Sequence, residues 1–322
     1  MVAQHSKVAG GGKASAALLQ QYGIYSALGC LLLVALVFAR PFFQPHNLSD
    51  VLLTASILGI VAIGQTYVIL GAGIDLSVGA VMSAAMIAAA AVTKGQDARV
   101  LPAFLVALLI GVVVGSINGF LITQRNVPPF AATLGMTVLV QGVQFAYTRG
   151  IPSGSIPPFL QLLGGGGGQV IPIPLIIVIG VASVAAIALY QTSFGRGLYA
   201  TGSNREAARL SGIPVSRVTI TTYIVSGVLA ALAGLLLSGY IGYVDRYVGQ
   251  GYDLDSIAAV VMGGVSFAGG RGGLGGPLAG ALLVTALLNI VLILGLSQQV
   301  QDVVKGLAIV AAVALYTVWR RV

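Results

Sequence analysis

Two short stretches of this sequence carry a carboxylate at the same position of a shared pattern. Residues 71–76 read GAGIDL and residues 249–254 read GQGYDL, so Asp75 and Asp253 both fit G-x-G-[IY]-D-L. A carboxylate at the start of a helix accepts hydrogen bonds from free N–H groups of the first turn and suits the positive end of the helix dipole. We therefore expect each aspartate to cap a helix or turn.

The sequence offers no arrangement with the spacing of a catalytic centre. It has no Ser–His–Asp set, no paired carboxylates and no metal-binding cluster, and His5 and His46 are its two histidines. The glycine-rich run at 263–276, GGVSFAGGRGGLGG, lacks the lysine of the phosphate-binding pattern G-x-x-x-x-G-K-[ST]. Arg271 is then a surface charge rather than a phosphate ligand. The sequence predicts a protein that is no enzyme and binds neither metal nor ATP itself.

The composition indicates that these residues are held by helices in a lipid bilayer. Of the 322 residues, 57% are hydrophobic and 7% are charged, whereas a soluble domain has about 25% charged residues. The net charge of +8 comes from bases in short connections between apolar runs. This pattern favours membrane topology over nucleic-acid binding.

Apolar runs close to the roughly 17–25 residues that cross a bilayer recur along the chain. They lie at about 23–39, 51–70, 77–93, 101–122, 131–148, 171–190, 219–239, 275–295 and 302–319. A shorter apolar piece, 255–268, adds a tenth crossing if it spans. We predict an all-α membrane protein of about ten transmembrane helices.

The basic residues predict that both termini are cytoplasmic. With the N-terminus inside, ten bases fall in inner connections and five in outer ones, which are Arg40, Lys94, Arg99, Arg149 and Arg246. Residues 1–22 then form a polar cytoplasmic tail, and residues 23–322 form one transmembrane domain. No small-residue cleavage site precedes the first span, so we expect a retained helix rather than a signal peptide.

This topology places Asp75 on the cytoplasmic face, before a helix that begins near Leu76, with Gly71 and Gly73 allowing the turn. The helices after the two G-x-G-[IY]-D-L copies are the third and the eighth, five spans apart, so they start from opposite faces. The sequence therefore predicts an inverted repeat with a pseudo-two-fold axis.

Small residues and a few amides predict how the helices pack. Gly111, Gly115 and Gly119 form one stripe at intervals of four, which lets helix backbones approach closely. A second stripe is formed by Gly272, Gly276 and Gly280, and the glycines 164–168 indicate a flexible outer loop.

The amides within the apolar runs either bond across helices or line a polar substrate path, and the sequence leaves both uses open. The candidates for the path are Gln65, Asn118, Gln141 and Asn289; Gln144 is a further amide of this kind. No Asp, Glu, His or Arg falls at the middle of a span. This weighs against coupling to an ion gradient.

The longest inner loop, 191–218, contains a short helix with its own start and stop signals. Ser203 and Glu206 fit a capping box, Gly212 suits a left-handed stop, and Pro214 prevents continuation. The apolar side consists of Ala207, Ala208 and Leu210. An exposed capped helix of this kind indicates docking to a partner.

Four segments in this order resemble the permease subunits of ribose-type ABC sugar importers. They read GIDLSVGAVM (74–83), NGFLITQRNVPPFAATLGM (118–136), YATGSNREAARLSGIPVSRV (199–218) and LDSIAAVVMGGVSFAGGRGGLGGPLAGALL (254–283). The similarity runs from about residue 40 to the C-terminus.

The resemblance implies a ten-helix type II importer fold in a bacterial inner membrane and a second permease copy as partner. It also implies a periplasmic sugar-binding protein outside and an ATPase subunit inside, with ATP and magnesium on the ATPase. The matching segment for coupling to the ATPase contains Ser203, Asn204, Arg205, Glu206, Ala207, Ala208, Arg209, Leu210, Gly212 and Pro214.

Three alternatives remain from the sequence. A branched-chain amino acid importer permease belongs to the same superfamily, although the motifs GIDLSVG and EAARLSGI favour the sugar branch. An ion-coupled secondary carrier needs no ATPase. A structural membrane protein needs neither a capped inner helix nor intramembrane amides. The sugar itself is not identified by the permease sequence.

Overall fold

The computed structural model of the chain describes residues 8–165, 171–297, 299–307 and 310. Its helices, in chain order, are α1 (Val8–Phe38), α2 (Pro45–Leu70), α3 (Val78–Thr93), α4 (Val100–Gln124), α5 (Pro129–Thr148), α6 (Pro158–Leu163), α7 (Ile173–Gln191), α8 (Ser193–Ser203), α9 (Arg205–Leu210), α10 (Val215–Ile241), α11 (Tyr252–Met262) and α12 (Gly275–Ile293). Two 3-10 turns at Arg40–Phe43 and Asp97–Arg99 and a helical stretch over 299–307 complete the described regular structure. The predicted all-α membrane fold is confirmed.

Six described helices are long and apolar enough to cross a membrane: α2, α4, α5, α7, α10 and α12. The part of α1 from Gly23 to Phe38 and the whole of α3 are apolar but shorter. α1 begins at Val8, so the helix extends into the predicted polar tail. The predicted last span, 302–319, lies mostly outside the described residues, and the total of ten crossings stays a prediction.

The short apolar piece at 255–268 is not one continuous helix. α11 has 11 residues and ends at Met262, and turns follow to the start of α12. At a rise of 1.5 Å per residue α11 covers about 16 Å, roughly half of the hydrocarbon thickness. α11 therefore cannot cross the bilayer by itself.

Proline and left-handed residues set several helix ends. Pro45, Pro129 and Pro158 stand in the first turns of α2, α5 and α6, where the missing N–H needs no partner. Lys94 and Arg149 are the C-caps of α3 and α5, and both have left-handed backbone, φ 47° and φ 51°. Both helices consequently end in a basic residue close to their free carbonyl groups.

The bundle is centred on α2 and α10. α2 is largely buried, and α10 lies against α2, α3 and α4. The predicted glycine stripe of α4 lies in the contact with α10, because a Cβ atom at Gly111 or Gly115 would collide with the carbonyl oxygen of Gly227 or Tyr223. Gly276 and Gly280 make similar close approaches to Gly263 and Ala259 of the α11 region.

The connection between α5 and α7 is partly packed rather than loose. Gly164, the first of the five glycines predicted to form a flexible loop, lies so close to Gly239 and Tyr240 of α10 that a Cβ atom would collide with them. The sequence did not predict the short helix α6. Gly164 is its C-cap residue and is thereby positioned against α10. Residues 166–168 lie outside the described part of the chain.

Candidate functional site

The carboxylate of Asp75 lies inside the helical bundle and is 1% exposed. Its Oδ1 atom accepts hydrogen bonds from the backbone N–H of Ser77 at 2.9 Å and from the Ser77 hydroxyl at 2.6 Å. Its Oδ2 atom accepts one from the hydroxyl of Ser226 on α10 at 2.8 Å. Asp75 thus connects the segment before α3 to α10.

This geometry corrects two predictions about Asp75. α3 begins at Val78 with Ser77 as its N-cap residue, so Asp75 does not cap a helix that begins near Leu76. Ser226 lies near the middle of the 27-residue α10, so the carboxylate is at mid-depth of the bundle rather than at a membrane face. The reason is that residues 73–77 are non-helical and lead the chain back inward from the end of α2.

An acidic residue therefore does lie at mid-depth of the bundle, contrary to the expectation that weighed against coupling to an ion gradient. The hydropathy pattern placed Asp75 between two spans. It does not show at what depth in the membrane the chain stops being helical after α2. A second carboxylate, Asp255 on α11, is paired with Lys305 at 3.0 Å.

Two of the amides predicted to line a path belong to the same cluster as Asp75. The amide of Asn118 on α4 donates from Nδ2 to the Ser77 hydroxyl at 3.0 Å. The amide of Gln65 on α2 faces the backbone of Asp75. In the amide orientation that satisfies both groups, its nitrogen lies 3.2 Å from the carbonyl oxygen and its oxygen 3.3 Å from the amide nitrogen. Both amides are fully buried. The cluster therefore ties α2, α4 and α10 to the start of α3.

Ser77 and Ser226 were missed by the sequence analysis. Serine hydroxyls in apolar runs are common and give a weak signal, because they usually bond to a carbonyl group of their own helix. Asn118 also retains one unused group, since its Oδ1 atom is buried without a hydrogen-bond partner in the described structure.

The other two predicted path residues lie elsewhere. Gln141 is on the exposed face of α5. Asn289 of α12 exchanges hydrogen bonds of 2.9 and 3.0 Å with Asn47 in the first turn of α2. Such a reciprocal amide pair joins two helices, which is the packing alternative that the sequence left open.

The turn before Asp75 needs its glycines for space rather than for a left-handed backbone. The left-handed residue is Ala72, with φ 58°. A Cβ atom at Gly73 would lie 2.6 Å from the hydroxyl oxygen of Tyr223, which donates to the carbonyl of Ile74 at 3.1 Å. Gly71 faces the side chain of Leu198 on α8. The turn is therefore in contact with both α8 and α10.

The second G-x-G-[IY]-D-L copy lies directly against the first turns of α3. A Cβ atom at Gly79 would collide with the carbonyl oxygen of Gly249, whose N–H donates to the hydroxyl of Ser83 at 3.0 Å. The N-cap of α11 is Gly251, with φ 92°, so Asp253 stands in the first turn and does not cap the helix as predicted. The inverted relation of the two copies stays a prediction.

The loop at 191–218 folds into two helices rather than one. α8 runs to Ser203, and Asn204 caps α9 by accepting a 2.9 Å hydrogen bond at Oδ1 from the N–H of Ala207. The predicted capping box with Ser203 is therefore wrong by one residue. Glu206 instead pairs with Arg209 at 2.7 Å on the exposed side. This hydrogen bond and the guanidinium charge lower the pKa of Glu206.

α9 presents an apolar side chain to its surroundings. Leu210 is 79% exposed, whereas Ala208 is buried. Gly212 has φ 80°, the left-handed stop that the sequence predicts. Arg205 reaches back to the hydroxyl of Thr219 at 3.4 Å, which holds the start of α9 against α10.

α8 connects α9 to the end of α2 and to the glycine-rich turn after α11. The carbonyl of Leu70 accepts a 2.9 Å hydrogen bond from the N–H of Gly270, and Gly202 touches the same carbonyl. The Tyr199 hydroxyl donates to the carbonyl of Gly272 at 2.7 Å. The glycine-rich run therefore serves close backbone packing in this structure.

The chain matches known proteins over most of its length. A family model described as "Branched-chain amino acid transport system / permease component" matches residues 47–313. The chain belongs to this permease family. The match covers α2 to α12 and so includes both the Asp75 cluster and the α8–α9 loop.

Curated relatives cover nearly the whole chain. The ribose import permease protein RbsC of Bacillus subtilis is 38% identical over 92% of this chain and 93% of its own length. RbsC of Escherichia coli strain K12 is 38% identical over 89% and 91%, and the fructose import permease FrcC of Rhizobium meliloti is 35% identical over 88% and 81%. No solved structure matches the chain. The resemblance to ribose-type permeases is confirmed.

Proposed function

We propose that this permease is the membrane-spanning subunit of an ATP-driven importer of a monosaccharide and has no catalytic centre of its own. Relatives named as ribose, fructose and galactose import permeases, which cover most of the chain, support the substrate class. The observation that carries the coupling to a separate ATPase is the capped helix α9 with its exposed Leu210.

The ATPase subunit docks on α9, and ATP with its magnesium ion binds to that subunit. Leu210 enters a pocket of the ATPase, while the Glu206–Arg209 pair stays at the rim of the contact. A movement of α9 reaches the bundle through α8, because α8 touches the turn before Asp75. The ATPase thereby acts on the polar cluster indirectly, through the contacts that lead from α9 to α8 and from α8 to the turn before Asp75.

The remaining partners occupy other faces of the molecule. A periplasmic sugar-binding protein docks at the end of the bundle opposite α9, and a second copy of the permease completes the transporter in the inner membrane. Both chain termini are cytoplasmic. Gln65 and Asn118 come to line the sugar path only when the Asp75 cluster opens, because both are fully buried here.

Co-purification with the ATPase tests the proposal. A tagged permease is extracted from its native membranes in mild detergent, and the proteins that accompany it are identified by mass spectrometry. Leu210→Asp should lose the ATPase, and the matched variant Ile151→Asp should keep it, since Ile151 is 78% exposed on the opposite end. Sugar uptake by a permease without any ATPase would contradict the proposal.

An amino acid is the second substrate candidate, since the family description names branched-chain amino acids. Competition decides between the classes: excess ribose, fructose or galactose should block uptake of labelled sugar, whereas leucine should not. Competition by leucine instead would favour the amino acid.

An ion-coupled carrier is a further candidate, favoured by the buried carboxylate of Asp75. A protonophore applied while the ATP concentration is held constant distinguishes the two energy sources. We expect uptake to persist, and its collapse would indicate coupling to the proton gradient.

A further inference from the structure

An apolar groove runs between α3, α4 and α5 on the outside of the bundle. Its volume is about 450 Å³. The side chains that line it include Ile87, Ala91, Val106, Val113, Val140 and Val143. The one amide among the lining residues, Gln144, donates from Nε2 to the carbonyl of Ala80 at 2.8 Å, so its polar group is already bonded within the bundle.

A polar pocket continues the groove at the ends of α3 and α5. It has a volume of about 530 Å³ and shares Ile87, Ala91 and Tyr147 with the groove. Lys94 and Arg149, the two C-cap residues, line this pocket together with Ser153 and Ser155. The two cavities therefore form one site with an apolar end and a basic end.

The two cations of the pocket are available to a ligand. Both side chains are exposed, and neither has an ion pair within residues 8–165, 171–297, 299–307 and 310. The residues that line the groove and the pocket include no Asp or Glu. A ligand with a negative head and a hydrocarbon tail complements both ends.

We propose that this site binds an anionic phospholipid. One acyl chain lies in the groove, and the phosphate lies between Lys94 and Arg149 with the hydroxyls of Ser153 and Ser155 in reach. Arginine binds phosphate through paired N–H groups and lysine as a point charge, so the two cations complement a phosphate head group. The basic end lies where α3 and α5 leave the bundle, as a membrane head group requires.

Native mass spectrometry tests the proposal on the full chain. The permease is released from nanodiscs that contain equal amounts of phosphatidylglycerol and phosphatidylcholine, and the lipids that remain bound are counted. The double variant Lys94→Gln/Arg149→Gln removes the basic end, and Val143→Trp fills the groove. Arg99→Gln is the matched control, because Arg99 is exposed near the same end but does not line the site.

The wild-type chain and Arg99→Gln should keep phosphatidylglycerol in preference to phosphatidylcholine. The double variant should lose this preference about tenfold or more, since it removes both cations that attract the anionic head group. Val143→Trp should lose bound lipid of both kinds. An unchanged melting temperature of each variant shows that the fold is kept.

Three outcomes would overturn the proposal. The first is equal retention of both lipids by the wild type, which indicates general lipid contact. The second is unchanged phosphatidylglycerol retention in the double variant. The third is a loss of dimers by Val143→Trp with no change in bound lipid, which would assign the groove to a second copy of the chain.

Discussion

The carboxylate of Asp75 accepts a 2.8 Å hydrogen bond from the hydroxyl of Ser226, although 151 residues separate the two in sequence. Both groups are buried. Because α10 also packs against α4 and follows directly on α9, this bond joins the non-helical segment before α3 to the long helix that begins next to α9.

Removal of the Asp75 carboxylate should destabilise the protein strongly. Asp75→Ala leaves the hydroxyls of Ser77 and Ser226 and the N–H of Ser77 without their acceptor, and we expect a loss of about 2–4 kcal/mol. Asp75→Asn keeps an acceptor and the volume, so its loss should be smaller. The melting temperature in detergent measures both. Asp245→Ala removes one acceptor, for the N–H of Tyr247 in a partly exposed loop, and should cost only about 0.5–1.5 kcal/mol. An equally small effect of Asp75→Ala would contradict the role of the cluster.

A methyl group on the α4 stripe should separate α4 from α10. In Gly115→Ala the new Cβ atom collides with the backbone of Tyr223 and Ile224, so we expect a loss of about 1–3 kcal/mol. Gly142→Ala on α5 is the matched control, because nothing lies within 4 Å of its Cβ position. There the substitution should be neutral or stabilise the helix by about 0.5–1 kcal/mol. Thermal unfolding distinguishes the two, and equal effects would contradict the packing role.

Replacement of Asn204 by alanine should destabilise α9, whereas replacement of Ser203 should not. Asn204→Ala removes the acceptor for the N–H of Ala207, at a cost of about 0.5–2 kcal/mol to this short helix. Ser203→Ala should have less effect, and Asn204→Asp should restore the cap. Retention of the ATPase during purification measures the order of α9. The opposite ranking of the two alanine variants would support a capping box at Ser203.

The left-handed backbone of Gly212 makes a proline there intolerable. Proline requires φ near −65°, whereas Gly212 has φ 80°, so Gly212→Pro must displace Leu210 and the start of α10. We expect uptake to fall to background while the protein remains in the membrane. Gly212→Asn, which tolerates a left-handed backbone, should keep most of the activity. Normal transport by the proline variant would contradict the proposal that a movement of α9 is transmitted to the bundle.

The Glu206–Arg209 pair predicts little pH dependence of ATPase binding near neutrality. The pKa of Glu206 is lowered in the folded chain by the hydrogen bond from Arg209 and by its charge. The stabilisation by this pair is therefore complete above the ordinary glutamate pKa of 4.5 and is lost as the pH falls through the lower pKa of the folded chain. Co-purification from pH 8 to pH 6 should be constant. A decrease in that range that Glu206→Gln abolishes would contradict this assignment.

Hydropathy predicted the long helices well, because a bilayer demands long apolar runs wherever it is crossed. The boundaries of α2, α3, α4 and α5 differ from the predicted spans by a few residues. What the pattern did not predict is where the chain stays non-helical at depth, as at residues 73–77 and in the turns around α11. Non-helical backbone is tolerated there because other helices satisfy its polar groups, and those partners are distant in sequence.

The polar cluster was predictable only in pieces. Gln65, Asp75 and Asn118 are conspicuous in an apolar chain, but their convergence depends on the contacts of four elements. Ser203 and Asn204 show a finer limit: both are good N-cap residues, and α8, which ends at Ser203, decides between them. The relation of Lys94 to Arg149 is also invisible in the sequence, where 55 positions separate them.

The ion pair between Asp255 and Lys305 has a consequence for biosynthesis. A segment as short as α11, with acidic residues in its first turn, is a poor substrate for insertion into a membrane by itself. Its carboxylate, which is 13% exposed, obtains the charge partner only after 50 further residues have been made. We therefore expect α11 to enter the bilayer late, after Lys305 has emerged from the ribosome and can pair with Asp255.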